Sequence, residues 1–225
     1  MTQSASGLFR ATGKTAKPKT VRLLDGSYTK VGSVARAEDD FTPTPPEPTL
    51  SLMHYEREAL SRYPLIWEAA CGDGRMMRDL EGGGHKVVGS DLRDRGCGAA
   101  IKDFFAFTEP LSPCVVTNPP YDKINGRDGK GAWVWHAMDV LKVDYMALLL
   151  NWQWPGAGSL GNLWQTHEPS RAYLMRWKID FTGEGAPPML NGWFIWDRRA
   201  SNKTCQLLMM DRKNARQGDL MEAAE

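Results

Sequence analysis

The stretch from Leu65 to Gly84 does most to restrict the folds open to this chain. An apolar run, Leu65-Ile66-Trp67, meets Glu68-Ala-Ala-Cys-Gly-Asp-Gly74, continues as a helical stretch from Arg75 to Glu81, and stops at Gly82-Gly83-Gly84. The order is strand, glycine turn, helix, turn. Glycine reaches left-handed backbone angles at no steric cost, so Gly72 and Gly74 permit a tight turn in which backbone approaches a ligand closely. The following helix offers free N–H groups at the carboxyl end of the strand. Taken alone, two such glycines are equally well explained by an ordinary tight turn, and context must decide.

That context repeats the pattern. His85 to Asp91 reads as a second short strand with an acid at its end, and Cys114 to Thr117 as a third that runs into Asn118-Pro119-Pro120-Tyr121. Tyr145 to Leu150 is wholly apolar, as suits a strand buried on both faces, and the helix-like stretch Ala132 to Leu141 precedes it. Strands alternating with helices predict an α/β fold with a central, mostly parallel sheet and right-handed crossovers. Near the end, Ala172 to Ile179 and Trp193 to Trp196 flank the Gly/Pro-rich Thr182 to Asn191, predicting an antiparallel hairpin at one edge of that sheet.

At the other end, Phe41-Thr-Pro-Thr-Pro-Pro-Glu-Pro reads as a rigid extended entry that excludes helix, because each proline fixes its own φ and biases the residue before it. Leu50, Met53 and Leu60 then mark an amphipathic helix, with Thr49 or Ser51 as its cap and an end before Tyr63-Pro64. Asn151 to Pro169, with three tryptophans among its glycines and prolines, reads as a long loop or lid.

A chain of 225 residues buries one good core. Residues 1–40 have the composition of a disordered tail, residues 41–212 form the folded domain, and residues 213–225 are expected to fray. Lys14, Lys17, Lys19 and Arg22 make the first half of the tail basic; a solvated tail accounts for them, and trailing along a phosphate backbone is the alternative. Overall, 28 basic residues against 27 acidic ones leave a formal charge of +1, which argues neither for nor against nucleic acid. Cys71, Cys97, Cys114 and Cys205 show no CxxC pair, so neither a zinc site nor a disulfide framework is suggested. No metal is expected, and the N-terminus lacks a signal-like apolar core. No run approaches the ~18 apolar residues of a membrane span, so the expectation is a soluble cytoplasmic protein with no membrane partner.

Two further features carry chemistry. Asp91, at the end of the second strand, is placed to accept hydrogen bonds from both ribose hydroxyls of an adenosine, with Asp94 as its alternative. In Asn118-Pro119-Pro120-Tyr121, consecutive prolines stiffen the backbone, Asn118 supplies a side-chain carbonyl and Tyr121 an aromatic face. These are parts for gripping a planar amine. Accepting hydrogen bonds from both protons of a ring-conjugated amine frees its nitrogen lone pair for attack; the acceptors are the Asn118 side chain and the Pro119 main-chain oxygen. Stacking on Tyr121 would add about 1–3 kcal/mol.

With these motifs in this order, the sequence resembles the N6-adenine-type DNA methyltransferases of bacteria and their phages, whose hallmark is Asn-Pro-Pro-Tyr/Phe. Phe41-Thr42-Pro43-Thr44-Pro45-Pro46 resembles that family's methionine-binding segment, Glu68-Ala69-Ala70-Cys71-Gly72-Asp73-Gly74 its cofactor loop, and Ser90-Asp91-Leu92 its ribose acid. Asp103-Phe104-Phe105 resembles its Asp-Phe pair, while Phe181-Thr-Gly-Glu-Gly and Trp193-Phe-Ile-Trp-Asp197 are similar to the late hairpin of small phage members. The likeness spans roughly residues 41 to 198 and implies a Rossmann-like class I methyltransferase fold with helices on both sheet faces. It implies S-adenosylmethionine as cofactor, DNA as partner and the cytoplasm of a bacterium or phage-infected host as location. Glu68 and Asp73 would lie near the methionine amino end, Asp91 at the ribose and Asp103 at the adenine amine. Phe104 would be a wall for the adenine ring, although core packing claims at least one of Phe104 and Phe105. Phe194 is a candidate to stack on the target base, against the commoner fate of a strand aromatic in the core.

A target adenine in duplex DNA would have to be flipped out of the stack. Lys123, Arg127 and Lys130 on one loop, and Trp152, Trp154 and Trp164 on the next, suit backbone contact and wedging, or else a solvated loop and aromatics packed beneath a lid. His136 and His167 are not needed as bases, because the amine can shed its proton after transfer. The same motif also serves glutamine side-chain amides, RNA bases and cytosine N4, so it specifies a planar NH₂ and not a polymer. A non-catalytic module that binds nucleic acid or a partner is the rival of another class; the intact Asn118, Tyr121 and glycine turn count against it. No separate recognition domain fits in the chain, which leaves sequence selectivity to loops, the tail or a dimer.

Overall fold

The computed structural model describes residues 19–22, 28–31, 43–124, 130–181, 189–202 and 204–212. They belong to two compact units, residues 1–42 and 43–225. In the first unit, β1 (Lys19–Arg22) and β2 (Tyr28–Val31) pair antiparallel, with Lys19 opposite Val31 and Arg22 opposite Tyr28.

The second unit opens with helix. α1 spans Pro46–Tyr55 and α2 Arg57–Ser61. The proline entry was expected to exclude helix, yet α1 begins inside it, capped by Pro45 in extended conformation. Pro46 and Pro48 sit in the first turn, where N–H groups have no intrahelical acceptor and a missing donor costs nothing. Thr49 and Ser51 are therefore interior helix residues, fully buried, rather than caps.

Eight strands follow in one sheet: β3 (Ile66–Glu68), β4 (Val87–Asp91), β5 (Ala100–Ile101), β6 (Cys114–Thr117), β7 (Tyr145–Asn151), β8 (Arg171–Met175), β9 (Asn191–Asp197) and β10 (Gln206–Met210). Their spatial order is β10-β8-β9-β7-β6-β3-β4-β5. β5-β4-β3-β6-β7 is the doubly wound half, parallel throughout. β9 runs against both of its neighbours, β7 and β8, and the outermost β10 is again parallel to β8. The late antiparallel pair expected from sequence is thus present, but its reversed member lies inside the sheet. β10 went unpredicted although Leu207-Leu208-Met209-Met210 is an apolar run of strand length.

Crossovers place helices on both faces. On one, α1, α2 and α3 (Arg75–Gly82) bury Leu52, Leu60 and Leu80 against Val116, Ala147, Leu149, Trp193 and Ile195. On the other, α4 (Tyr121–Ile124), α5 (Ala132–Trp135, continued as a π-helical turn His136–Val140) and α6 (Gly161–Thr166) cover Val115, Met146, Leu148 and Phe194. Alternating strand residues thus feed two separate hydrophobic layers, as a sheet buried on both faces requires. The expected loop at 151–169 is built from two short 3₁₀ turns and α6, anchored by the buried Trp154 indole, which donates to the Ile124 carbonyl at 2.7 Å.

At the amino ends of the parallel strands, buried charges are knotted together. Glu56 accepts from Arg171 through both oxygens, from Tyr145 at 3.0 Å and from Tyr173 at 2.7 Å. Asp197 accepts from Arg62 at 2.7 Å and from Arg171 at 3.2 Å. Burial alone would raise the Asp197 carboxyl, but hydrogen bonds from Arg62, the Arg199 N–H and Arg171 outweigh it and hold it below the usual range. No helix of the described residues is long and apolar enough to cross a membrane.

Candidate functional site

The strand order reverses between β3 and β6, and in open α/β sheets ligands bind outside the carboxyl ends of the strands at such a point. Most of the residues marked by sequence converge there. Beyond β3 the chain turns at Gly72 (φ 55°) and Gly74 (φ 78°), both left-handed. A Cβ at Gly74 would stand 2.8 Å from the Cβ of Cys97, so the turn tolerates no side chain there.

Asp91, at the end of β4, faces this turn. One carboxylate oxygen accepts from the Gly72 N–H at 2.8 Å and the other from the Arg93 N–H at 3.0 Å. A carboxylate has about four acceptor positions, so two remain for a ligand. Asp94 instead closes its own exposed turn by accepting from Gly96 N–H at 2.8 Å, which singles out Asp91 as the acid at the glycine turn. Cys97 packs onto the same loop, its thiol 3.7 Å from that of Cys71 and donating to the Gly72 carbonyl at 3.4 Å.

Glu68 is buried at the end of β3. Its carboxyl accepts from the Thr117 hydroxyl at 2.5 Å and from the Ala70 N–H at 3.4 Å. Burial pushes it up to about 8, with the nearby charge of Asp91 adding to the shift and the two hydrogen bonds moderating it. Thr117, the residue just before the Asn-Pro-Pro-Tyr segment, is thereby tied to the end of β3.

In that segment, Asn118 follows β6. Its amide NH₂ donates to the Thr44 hydroxyl at 3.0 Å, while its carbonyl oxygen Oδ1 is buried and has no hydrogen-bond partner among the described residues. Buried polar atoms are almost always paired, so an acceptor left open at the carboxyl ends of the parallel strands is chemically informative. Pro119 is buried and Pro120 exposed, and Tyr121 begins α4 with its ring packed on the second hydrophobic layer. The Tyr121 hydroxyl is likewise buried without a partner, and burial raises its pKa, keeping the phenol neutral.

The other marked residues make contacts of their own. Asp73 pairs with Arg75 at 3.1 Å. Asp103 caps a 3₁₀ turn, accepting from the Phe105 N–H at 3.0 Å. Phe104 is buried and stacked on Trp133, with ring centroids 3.8 Å apart and planes 4° from parallel, so one of its faces is already used. Phe194 is buried at the middle of β9 between Trp152 and Trp154, and the structure does not bring it to an open surface. Leu92 is 65% exposed just after Asp91, and Pro43, Pro45 and Lys123 lie at the surface or near it. Thr42, Arg127 and the Thr-Gly-Glu-Gly stretch after Phe181 lie outside the described residues. His136 and His167 are both engaged structurally, with the Phe107 carbonyl at 3.0 Å and with Asp139 at 2.9 Å. Among the described residues no group of three or more His, Cys, Asp or Glu is arranged to hold a metal ion. The Thr44–Asn118 bond was beyond sequence reasoning, since 74 residues separate its partners.

The fold is that of the Rossmann-like class I methyltransferases. Neither a protein-family model nor a curated protein matches the sequence. Solved structures match by fold. A Listeria monocytogenes chain assigned as a class I S-adenosylmethionine-dependent methyltransferase aligns with TM-score 0.54 and 12% identity over 80% of this chain and 69% of its own. A modification subunit assigned to a type I restriction enzyme of Vibrio vulnificus aligns with TM-score 0.48 and 10% identity over 80% of this chain and 49% of its own. A Pyrococcus horikoshii chain assigned as an RNA methyltransferase gives 0.47 and 11%, over 65% and 80%. At 12% identity the likeness to the Listeria chain is one of fold.

Proposed function

We propose that this protein transfers a methyl group from S-adenosylmethionine to an exocyclic amino nitrogen, and that the amine is N6 of adenine in DNA. The observation that carries the reading is the buried Oδ1 of Asn118, without a partner among the described residues, at the carboxyl end of β6 in a methyltransferase fold. An acceptor already withdrawn from water, with its amide tethered, is preorganised for an N–H of the substrate, and preorganised dipoles are the strongest contribution such a site makes.

The residues fit the cofactor. The left-handed Gly72 and Gly74 form the tight turn at the end of β3 that packs against Cys97, and Asp91, bonded to that turn, retains acceptor positions for a ribose diol. S-adenosylmethionine, when bound, supplies an electrophilic methyl carbon on a sulfonium. The chain does the rest. Asn118 Oδ1 and the Pro119 carbonyl accept the two amine protons, which draws the nitrogen lone pair out of the ring toward the methyl group. Tyr121, neutral and held in α4, offers a ring to the base. Neither histidine is required, since the methylated amine loses its extra proton to solvent. For DNA the target base leaves the duplex, at a cost of a few kcal/mol.

The test is methyl transfer from labelled cofactor to unmethylated duplex DNA, followed by digestion to nucleosides and mass spectrometry. N6-methyldeoxyadenosine is the expected product. Label in RNA or in glutamine side chains, with none in DNA, would keep the amine grip and overturn the polymer. Absence of cofactor binding by calorimetry would overturn the catalytic reading itself. Asn118→Ala is expected to bind cofactor normally while losing on the order of 100-fold or more in kcat, as removal of a preorganised polar partner does elsewhere.

A further inference from the structure

Thr44 belongs to a segment whose resemblance assigns it to the methionine end of the cofactor. Its contact in the structure is different. The Thr44 hydroxyl accepts from the Asn118 amide NH₂ at 3.0 Å, and Thr44 is itself buried, at 8% exposure. A side-chain amide has two ends of nearly the same shape, and only its partners decide which one faces a ligand. Here the nitrogen end is occupied and the oxygen end is not.

Resting on the function proposed above, we infer that Thr44 is a positioning residue for Asn118: it holds the amide nitrogen so that Oδ1 is presented to the substrate amine. The anchor is well founded physically. Thr44 lies just ahead of α1, and α1 is locked to the sheet where the Trp193 indole donates to the Pro48 carbonyl at 3.0 Å and by the burial of Leu50, Leu52 and Met53. β6, which delivers Asn118, is fully buried. Two rigid elements thus meet at one hydrogen bond, and an amide fixed at one end loses less rotational freedom when its other end engages substrate. Thr117, beside Asn118, is bound in turn to Glu68, so the motif is restrained from both sides.

Two substitutions separate this role from cofactor binding. Thr44→Val keeps the shape and removes the hydroxyl, and Thr44→Ser restores it. The expected result is a fall in kcat of at least tenfold for Thr44→Val, with the dissociation constant for S-adenosylmethionine unchanged within twofold and with recovery in Thr44→Ser. Weakened cofactor binding that accounts for the lost activity would overturn the inference and return Thr44 to the cofactor site. Unchanged kcat would overturn it as well. A substrate-free readout covers the case in which wild-type protein methylates none of the planar amines offered. In ¹⁵N-labelled full-length protein, the Asn118 NH₂ signals, identified by their loss in Asn118→Asp, should exchange with water at least tenfold faster in Thr44→Val than in wild type or Thr44→Ser. Equal exchange in all three would refute the hydrogen bond, whatever the substrate is.

Discussion

A carboxyl group at 2% exposure, like that of Glu68, ionises only against the loss of its hydration. With its pKa near 8 in the folded protein against 4.5 when unfolded, the folded state holds the extra proton. Stability therefore falls as pH rises from about 4.5 to about 8 and levels off above the folded value. Glu68→Gln, which can still accept from Thr117, should remove this slope. It should be more stable than wild type by roughly 3 kcal/mol at pH 7 and close to it at pH 4.5. Urea denaturation across that range checks the sign; a wild-type stability that climbs from pH 5 to 8 would show that Glu68 is ionised in the fold. Gly74→Ala places a methyl group at φ 78° and within 2.8 Å of the Cys97 Cβ. It should cost about 1–3 kcal/mol and loosen the loop that holds Asp91; thermal melting and cofactor titration report the two effects separately.

At the scale of elements, β9 shows how tightly the sheet is closed. Gly192 lies between β7 and β8, and a Cβ there would come within 2.6 Å of both the Trp152 ring and the Tyr173 carbonyl. Backbone cannot move aside as a side chain can. Gly192→Ala should therefore destabilise by about 1–3 kcal/mol, measurable as a lower denaturation midpoint. The strands that sequence revealed, β3, β4, β6, β7, β8 and β9, are those whose apolar runs are bounded by glycine, proline or a charged end. Those it missed had weaker signals. β5 is two residues long, and β10 is an edge strand with only Met210 buried, so neither alternation nor a buried run marks it. The start of α1 was misread because Pro45, Pro46 and Pro48 look like a barrier until the first is placed at the cap and the other two in the first turn. At the site, the glycine turn, Asp91 and the Asn-Pro-Pro-Tyr segment were legible because backbone angle and strand-end position are local properties. The burial of Phe194 and the stacking of Phe104 on Trp133 depend on distant residues, and no local pattern encodes them.

At the scale of the whole molecule, residues 43–225 form a compact unit of their own. A fragment of residues 43–225 should fold with a melting temperature within a few degrees of the full chain; a fragment that fails to melt cooperatively would show that residues 1–42 complete the core. Arg171→Leu, in contrast, would leave Glu56 and Asp197 with buried charge and no guanidinium between them, at a cost of about 3–5 kcal/mol. Its melting temperature should drop sharply while the affinity for cofactor, measured below the new midpoint, stays the same. That knot of charge sits at the opposite pole of the sheet from Asn118 and the glycine turn. Substitutions in that knot consequently act on heat tolerance alone, whereas those at Glu68 or Gly74 act on stability and chemistry together, so a screen for hardier variants and a selection for a new amine conflict only at the second pole.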